Sequence, residues 1–288
     1  MSDSNFYRTY SIRCGVLGQY GFKIGTETSV QDALHVSFSV EKSRSETPND
    51  AKIQIWNLGP ENLKVLDTPD CAIELKAGYD NSNTLLIVGN VSSVVTTLDG
   101  NDKMTEISVA DGLVELRDCE ISVSFNGSVN SKDVYIYVAK KMGLTIAFAD
   151  DLSYCIMPNG FSFVGKGRNA LQKIASANCH NWTIQNKIIQ ITNPGRSIGG
   201  IGYLLNADTG LINIPKRISI NTGETGEQKT VNGWEIEYFL NGAIGVNDVI
   251  RVESSQCNGY FLVYKITIDG DNYEGDWLCT AQIIEINA

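Results

Sequence analysis

Residues 32 to 58, DALHVSFSVEKSRSETPNDAKIQIWNL, alternate apolar and polar side chains, break into a polar run, then alternate again. Leu34, Val36, Phe38 and Val40 fall on one face and His35, Ser37, Ser39 and Glu41 on the other, the period of a strand with one wet face. Ile53 and Ile55 resume the pattern, so the segment reads as a hairpin with a long polar tip. CAIELKAGY, TLLIVGNVSSVVTTL and KMTEISVADG continue the strand texture to about residue 125, with Asp99-Gly100 as a hairpin turn. One short helix interrupts: Gly59 as cap, Pro60 at the first helical position, and Leu63 with Leu66 on one face.

The period changes near Asn126. SKDVYIYVAKKMG places Val134, Val138 and Met142 at helical spacing, with Ser131 as the cap candidate and Gly143 as the stop. LTIAF reads as a strand and GRNALQKIASAN as a second helix. WTIQNKIIQIT makes a tight hairpin about Gln185-Asn186 or Asn186-Lys187, and NPGRSIGG reads as a linker. From Gly210 strands return: GLINIPKRISI, GWEIEYFL, DVIRVES, GYFLVYKITIDG and DWLCTAQIIEI. The layout is β, then α/β, then β: residues 1–125 a first β-barrel domain, 126–200 an α/β insert, 201–288 a second β-barrel region. Locally, the two β regions read equally as one interrupted barrel or as two.

A chain of 288 residues with 42% hydrophobic content is expected to fold, in roughly two domains. Its 33 acidic and 23 basic residues give a net charge of −10, the wrong sign for gripping phosphates. A duct through which nucleic acid slides would favour negative walls, although net charge alone places no charge on a wall. Seven scattered cysteines without a CxxC pair fit reduced thiols made in a cytoplasm. The sequence contains no secretion signal and no apolar run near the ~20 residues that span a bilayer.

Candidate chemistry is sparse. The chain has two histidines. His35 lies on the wet face of a strand as a surface or interface residue, and His180 beside Cys179 invites a thiol nucleophile but lacks an orienting third group. VGKGRNA, residues 164 to 170, resembles a phosphate cradle without its spacing and reads as a turn and cap. DGDNYEGD, residues 269 to 276, has Glu274 where a calcium loop needs glycine, so it reads as a hairpin tip. Asp67 with Asp70, and Asp150 with Asp151, sit at turns rather than as an acid/base pair. Trp56, Trp182, Trp234 and Trp277 are embedded in strands as core or interface anchors.

The order of these segments resembles the baseplate hub proteins of contractile-tailed phages and related particles. The resemblance rests on Pro48, Ala51, Ile53, Ile55, Asn57, Leu58, Gly78, Tyr79 and Gly89 in the first half. In the second it rests on Gly259, Phe261, Val263, Asp276 and Trp277. Two departures are Tyr260, an aromatic one residue early, and Val246-Asn247 in place of Pro-Gly. The resemblance implies two tail-tube-like barrels and an inserted domain. It also implies a homotrimer that adapts a hexameric tail tube to a trimeric spike and contacts other baseplate proteins. DNA or a tape measure protein would pass along its channel without specific binding, and the chain would need no cofactor, metal or catalytic residue and would not insert stably into membrane. Its location would be the virion tail, assembled in the host cytoplasm. The tip from Glu41 to Asp50 is then expected to stack on a neighbouring ring, with Arg44, Glu46, Pro48, Asn49 and Trp56 as interface residues. Competing expectations are a distal-tail or tube-initiator adaptor, a receptor- or carbohydrate-binding tail component, and a cell-wall hydrolase.

Overall fold

The computed structural model describes residues 7–16, 20–26, 33–80, 82–199, 202–222 and 230–286. The first β region comprises β1 (Arg8–Gly15), β2 (Gly21–Gly25), β3 (Val36–Ser43), β4 (Asp50–Trp56), helix α1 (Pro60–Leu66), β5 (Ala72–Tyr79), β6 (Ser82–Asp99) and β7 (Asp102–Ala110). The middle of the chain holds α2 (Leu113–Asp118), β8 (Glu120–Phe125), β9 (Val129–Asn130), α3 (Ser131–Met142), β10 (Thr145–Phe148), β11 (Ile156–Met157), β12 (Phe161–Lys166), α4 (Gly167–Asn178), β13 (Asn181–Gln185) and β14 (Ile188–Thr192). The second β region follows with β15 (Tyr203–Leu205), β16 (Lys216–Asn221), β17 (Thr230–Phe239), β18 (Val249–Glu253), β19 (Asn258–Asp271) and β20 (Trp277–Glu285).

The fold is mainly β with an α/β insert, as expected. What the local pattern left open, how the two β regions meet, is resolved by a direct strand pair. β3 lies antiparallel to β19, from Ser43 opposite Lys265 to Ser37 opposite Asp271, and joins both regions into one thirteen-stranded sheet. One apolar core draws on both, including Tyr10, Ile53, Leu75 and Ile107 from the first and Ile250, Ile266 and Ile283 from the second. The insert has its own core around Val134, Leu171, Trp182 and Ile189. β8 pairs with β12 and gives Ile121 and Val123 to that second core, so its packing lies on the insert side of the 125/126 border.

Local signals explain most element ends. α1 starts after Gly59 with Pro60 in its first turn. In α3 the cap is Asn130, whose side chain accepts from the Lys132 amide, and Gly143 stops the helix at φ 72°. Ser131, the expected cap, is buried one residue further in and donates to Asn178 at 2.8 Å. GLINIPKRISI is not one strand: only Lys216–Asn221 pairs along β17, while Leu211 makes an isolated bridge to Tyr238. Pro215, which cannot donate to a ladder, stands immediately before β16.

The seam between the two regions depends on Gly270. It sits opposite Phe38, and a Cβ there would come within 2.2 Å of the Phe38 ring, which in turn packs edge-on against Trp277 at 5.4 Å. Gly270→Val is therefore expected to cost roughly 1–3 kcal/mol by overpacking. Combining it with Phe38→Ala should return part of that loss in a urea-unfolding cycle. Strict additivity of the two would show that the ring and the glycine are not in the contact described.

Candidate assembly surface

The polar hairpin tip turns inward. Arg44 is 8% exposed and donates to Thr192 Oγ1 and to the Arg196 carbonyl, each at 3.3 Å. Asn49 is 3% exposed; its amide donates to the Ile184 carbonyl at 2.9 Å and to Gln185 Oε1 at 3.0 Å, and its oxygen accepts from the Ser43 amide. Glu46 and Pro48 are half-buried. Arg44 and Asn49, expected at an interface with a neighbouring ring or subunit, are taken up within the chain, where they join the tip to the insert. The reason is complementary, because the insert offers its own polar turn at this place.

That turn is Asn186–Lys187, the second of the two settings the pattern allowed, with φ of 52° and 62°. Asp111, with no exposed surface, holds it: one carboxylate oxygen accepts from the Asn186 amide and the other from the Lys187 amide at 2.9 Å. Asn247, 1% exposed, donates to Gln190 Oε1 at 2.7 Å from the second β region. Lys42, 5% exposed, continues the inward face of Val36, Phe38 and Val40. Burial pushes its ammonium down to about 8, against the opposing pull of Asp111, Cys279 and Asp248. Burial likewise raises Asp111 and Asp248, in each case outweighing backbone hydrogen bonds and the Lys42 charge. The signal for this junction in the sequence is a lysine in the apolar register of β3.

The remaining interface candidate, Trp56, is half-buried at the other end of β4. Its ring stacks on His35 with centroids 3.9 Å apart at 15°, and its indole N–H donates to Asp99 Oδ2 at 2.9 Å. His35 Nε2 lies 3.0 Å from both oxygens of Asp271, at the root of the tip that joins β19 to β20.

A larger feature links these sites. Eight strands, in the order β16-β17-β20-β19-β3-β4-β7-β6, run antiparallel without a break. Their inward side chains make the core. The opposite side has apolar residues such as Ile220, Ile284, Leu278, Phe239 and Val95 toward the β16–β17 and β6 ends and along β20, and its middle is mostly polar. Its cross-strand rows read Glu237, Thr280, Thr267, Glu41, Asp50, then Leu278, Asp269, Ser39, Lys52, Ser108, then Asp271, Ser37, Gln54, Glu106. Glu41, Asp50, Glu106, Glu235, Glu237, Asp269 and Asp271 outnumber Lys52, Lys216 and Lys265. Two of those lysines are themselves paired, Lys265 with Glu41 at 2.7 Å and Lys216 with Glu237 at 3.2 Å. Where outward residues are shortest, Ser37 and Ser39 help line a trough of about 410 Å³ bounded by Lys52, Gln54, Asp269 and Asp276.

The other sequence candidates stay apart. Cys179 ends α4 in the left-handed region and is exposed, whereas His180 is buried near Tyr135, which lowers its basicity by desolvation. Lys166 caps α4 without a side-chain bond. Asp271 in DGDNYEGD accepts from the Tyr273 and Glu274 amides and closes the tip. Asp67, Asp70, Asp150 and Asp151 are exposed. Trp182 and Trp277 are core residues, and Trp234 is half-buried. Among the described residues no group of three or more His, Cys, Asp or Glu could hold a metal ion, and no helix is long and apolar enough to cross a membrane.

No family model matches the chain, and no curated protein matches it in sequence. Solved structures do match. The 43 kDa tail protein of prophage MuSo2 from Shewanella oneidensis is similar over 95% of this chain and 98% of its own, with a TM-score of 0.62 at 11% identity. A tail protein from Neisseria meningitidis MC58 gives 96%, 96%, 0.63 and 9%. The E. coli c3393 protein, a type VI secretion component with structural similarity to the T4 bacteriophage tail proteins gp27 and gp5, gives 94%, 76%, 0.56 and 10%. The chain thus has the fold of phage tail proteins and of a type VI secretion component structurally similar to them, in line with the resemblance read from its sequence.

Proposed function

We propose that this chain is a non-enzymatic structural hub of a phage or phage-like tail baseplate. Copies of it form a ring between a tail tube and a spike, and the polar side of the eight-strand run is the channel wall. The observation that carries the reading is that run: one side apolar and buried, the other with more carboxylates than lysines among its charged groups. A negative wall repels phosphate, so DNA passes without sticking, as does a tape measure protein that lacks a matching surface.

The strand count supports ring closure. Along eight antiparallel strands the last runs opposite to the first, so the free edge of β6 in one copy meets β16 of the next antiparallel, with no parallel pair at the joint. Beyond Val91 the outer edge of β6 has no partner strand among the described residues, nor has that of β16. Val95 and Leu98 on this segment are 53% and 77% exposed, and exposed edges of this kind recruit another chain. With three copies, the number that the resemblance implies, the wall is continuous. The insert, whose borders we place near Gly112 and Gly200, then stands off the wall and is free to meet other baseplate proteins, and the complex belongs to the virion tail, assembled in the host cytoplasm.

Light scattering across concentrations tests this, alone and with a spike protein added, combined with hydrogen exchange. A trimer in which amides 92–98 and 216–221 are protected relative to the monomer is the expected result. A monomer under every condition, or a trimer with both segments exchanging as in the monomer, removes the reading.

A further inference from the structure

We infer that the notch between Trp56 and Tyr273 receives an arginine side chain from a partner protein. The notch holds about 380 Å³ at the end of β4, with aromatic walls and a carboxylate edge. His35 is stacked on Trp56 and fixed by Asp271, and Tyr273, 77% exposed, stands opposite with its ring 5.4 Å from His35. Asn57 donates to Asp102 Oδ1 at 2.9 Å, and Trp56 donates to Asp99 Oδ2 at 2.9 Å. Asp102, which lines the notch, uses one oxygen for its bond and is thereby held in place with the other available to a donor. Rings and carboxylates are arranged before any ligand arrives, which lowers the ordering cost of binding.

Cations lie over rings elsewhere among the described residues, lysines over Phe148, Tyr154, Tyr137 and Phe161, and arginines at three places. Arg8 lies over Trp277 at 5.7 Å, Arg217 over Trp234 at 5.8 Å, and Arg251 over Tyr260 at 5.1 Å while also bonded to Glu253 at 2.8 Å. Among the described residues no lysine or arginine lies over Trp56 or Tyr273. The notch repeats the ring-plus-carboxylate half of the Arg251 arrangement without its cation. Asp102 in its lining, on a chain of net charge −10, favours an incoming cation and opposes phosphate. A guanidinium fits better than an ammonium because its plane stacks on a ring while its N–H fork reaches a carboxylate. The inference stands on the notch alone, whether or not the sheet closes into a ring.

The test follows the Trp56 indole N–H in the ¹⁵N-labelled full chain, identified by its loss in Trp56→Phe, during titration with acetyl-arginine amide. A saturable shift is expected, about fivefold or more weaker with acetyl-citrulline amide, which has the shape without the charge, and weaker also with acetyl-lysine amide. Asp102→Asn and Tyr273→Ala alter exposed side chains and should each weaken the arginine titration about fivefold while leaving the remaining cross-peaks in place. No saturable shift, an equal response to citrulline, or arginine binding unchanged in both variants overturns the inference.

Discussion

Asp111→Ala should unfold with roughly 3–5 kcal/mol less stability than the unaltered chain, the largest loss expected from any single side chain outside the apolar cores. The carboxylate is fully buried and accepts from two consecutive amides of a turn whose residues both have positive φ. Alanine leaves those amides without the acceptor that holds them and takes from buried Lys42 its largest opposing charge. Position adds to the effect, because Asp111 and Gly112 are where the chain leaves the sheet for the insert, and the Gly112 Cβ site lies 3.3 Å from Ile184. Loss of the contact should therefore loosen the insert before the thirteen-stranded sheet melts. Urea unfolding should give the lower midpoint, and limited proteolysis should cut faster between 193 and 199. Asp111→Asn, which keeps an acceptor and drops the charge, should fall between the two. A loss below about 1 kcal/mol for alanine would mean that the turn and the insert are held by other contacts.

Legibility from sequence followed the range of the interaction. β3 and β4 could be placed from alternation because one side of each is buried along its length. α3 could be placed because its spacing and Gly143 agree. α2 had no such signal: LVELRD is six residues, too short for a helical period, and its cap is Gly112 in the left-handed region. EISVSF reads as a further strand of the first β region, and only its pairing with Phe161–Lys166 gives it to the insert. The seam pairs residues more than 200 positions apart, where alternation on both strands is the sole trace. The hairpin tip misled for a different reason. A polar run that meets a neighbouring copy and a polar run that meets another polar surface of its own chain have the same composition, so Arg44 and Asn49 read as intermolecular contacts until their partners at 184, 185, 192 and 196 are in view. The carboxylate excess on the polar side is the converse case: a net charge of −10 was plain, but its gathering there needs the strand register.

Lys42 supplies a second prediction, in which the sign matters more than the size. Its folded pKa is lowered from 10.5 to about 8, so between those values the unfolded chain binds the proton and the folded chain does not. Stability from this group therefore rises with pH across that window, by about 3 kcal/mol, and its unfavourable burial is fully felt only below pH 8. The raw curve will not show this, because Cys257 and Cys279 are raised to about 11 by burial and Cys14 further. Those thiols keep their protons in the folded chain while the unfolded chain loses them, so they remove stability as pH rises above 9. The difference between the unaltered chain and Lys42→Met cancels Cys14 and Cys257, which both share; Cys279, which the Lys42 charge lowers, rises further in the variant and moves the difference in the same direction. Measured by urea unfolding at pH 7.5 and pH 10, that difference should move by about 2–3 kcal/mol in favour of the unaltered chain at the higher pH. Asp111 and Asp248 titrate below this window in the unfolded chain, and burial raises them in the folded one. Removing Lys42 raises them further, and a carboxyl raised by burial favours the folded chain at low pH and loses that contribution as pH rises, so Lys42→Met should lose stability more steeply than the unaltered chain as pH rises on the acid side. A pH-independent difference would place the Lys42 ammonium in water and separate it from the junction. A difference of the expected sign makes Lys42 a buried charge retained at a cost in stability, where the hairpin, the insert and the second β region meet.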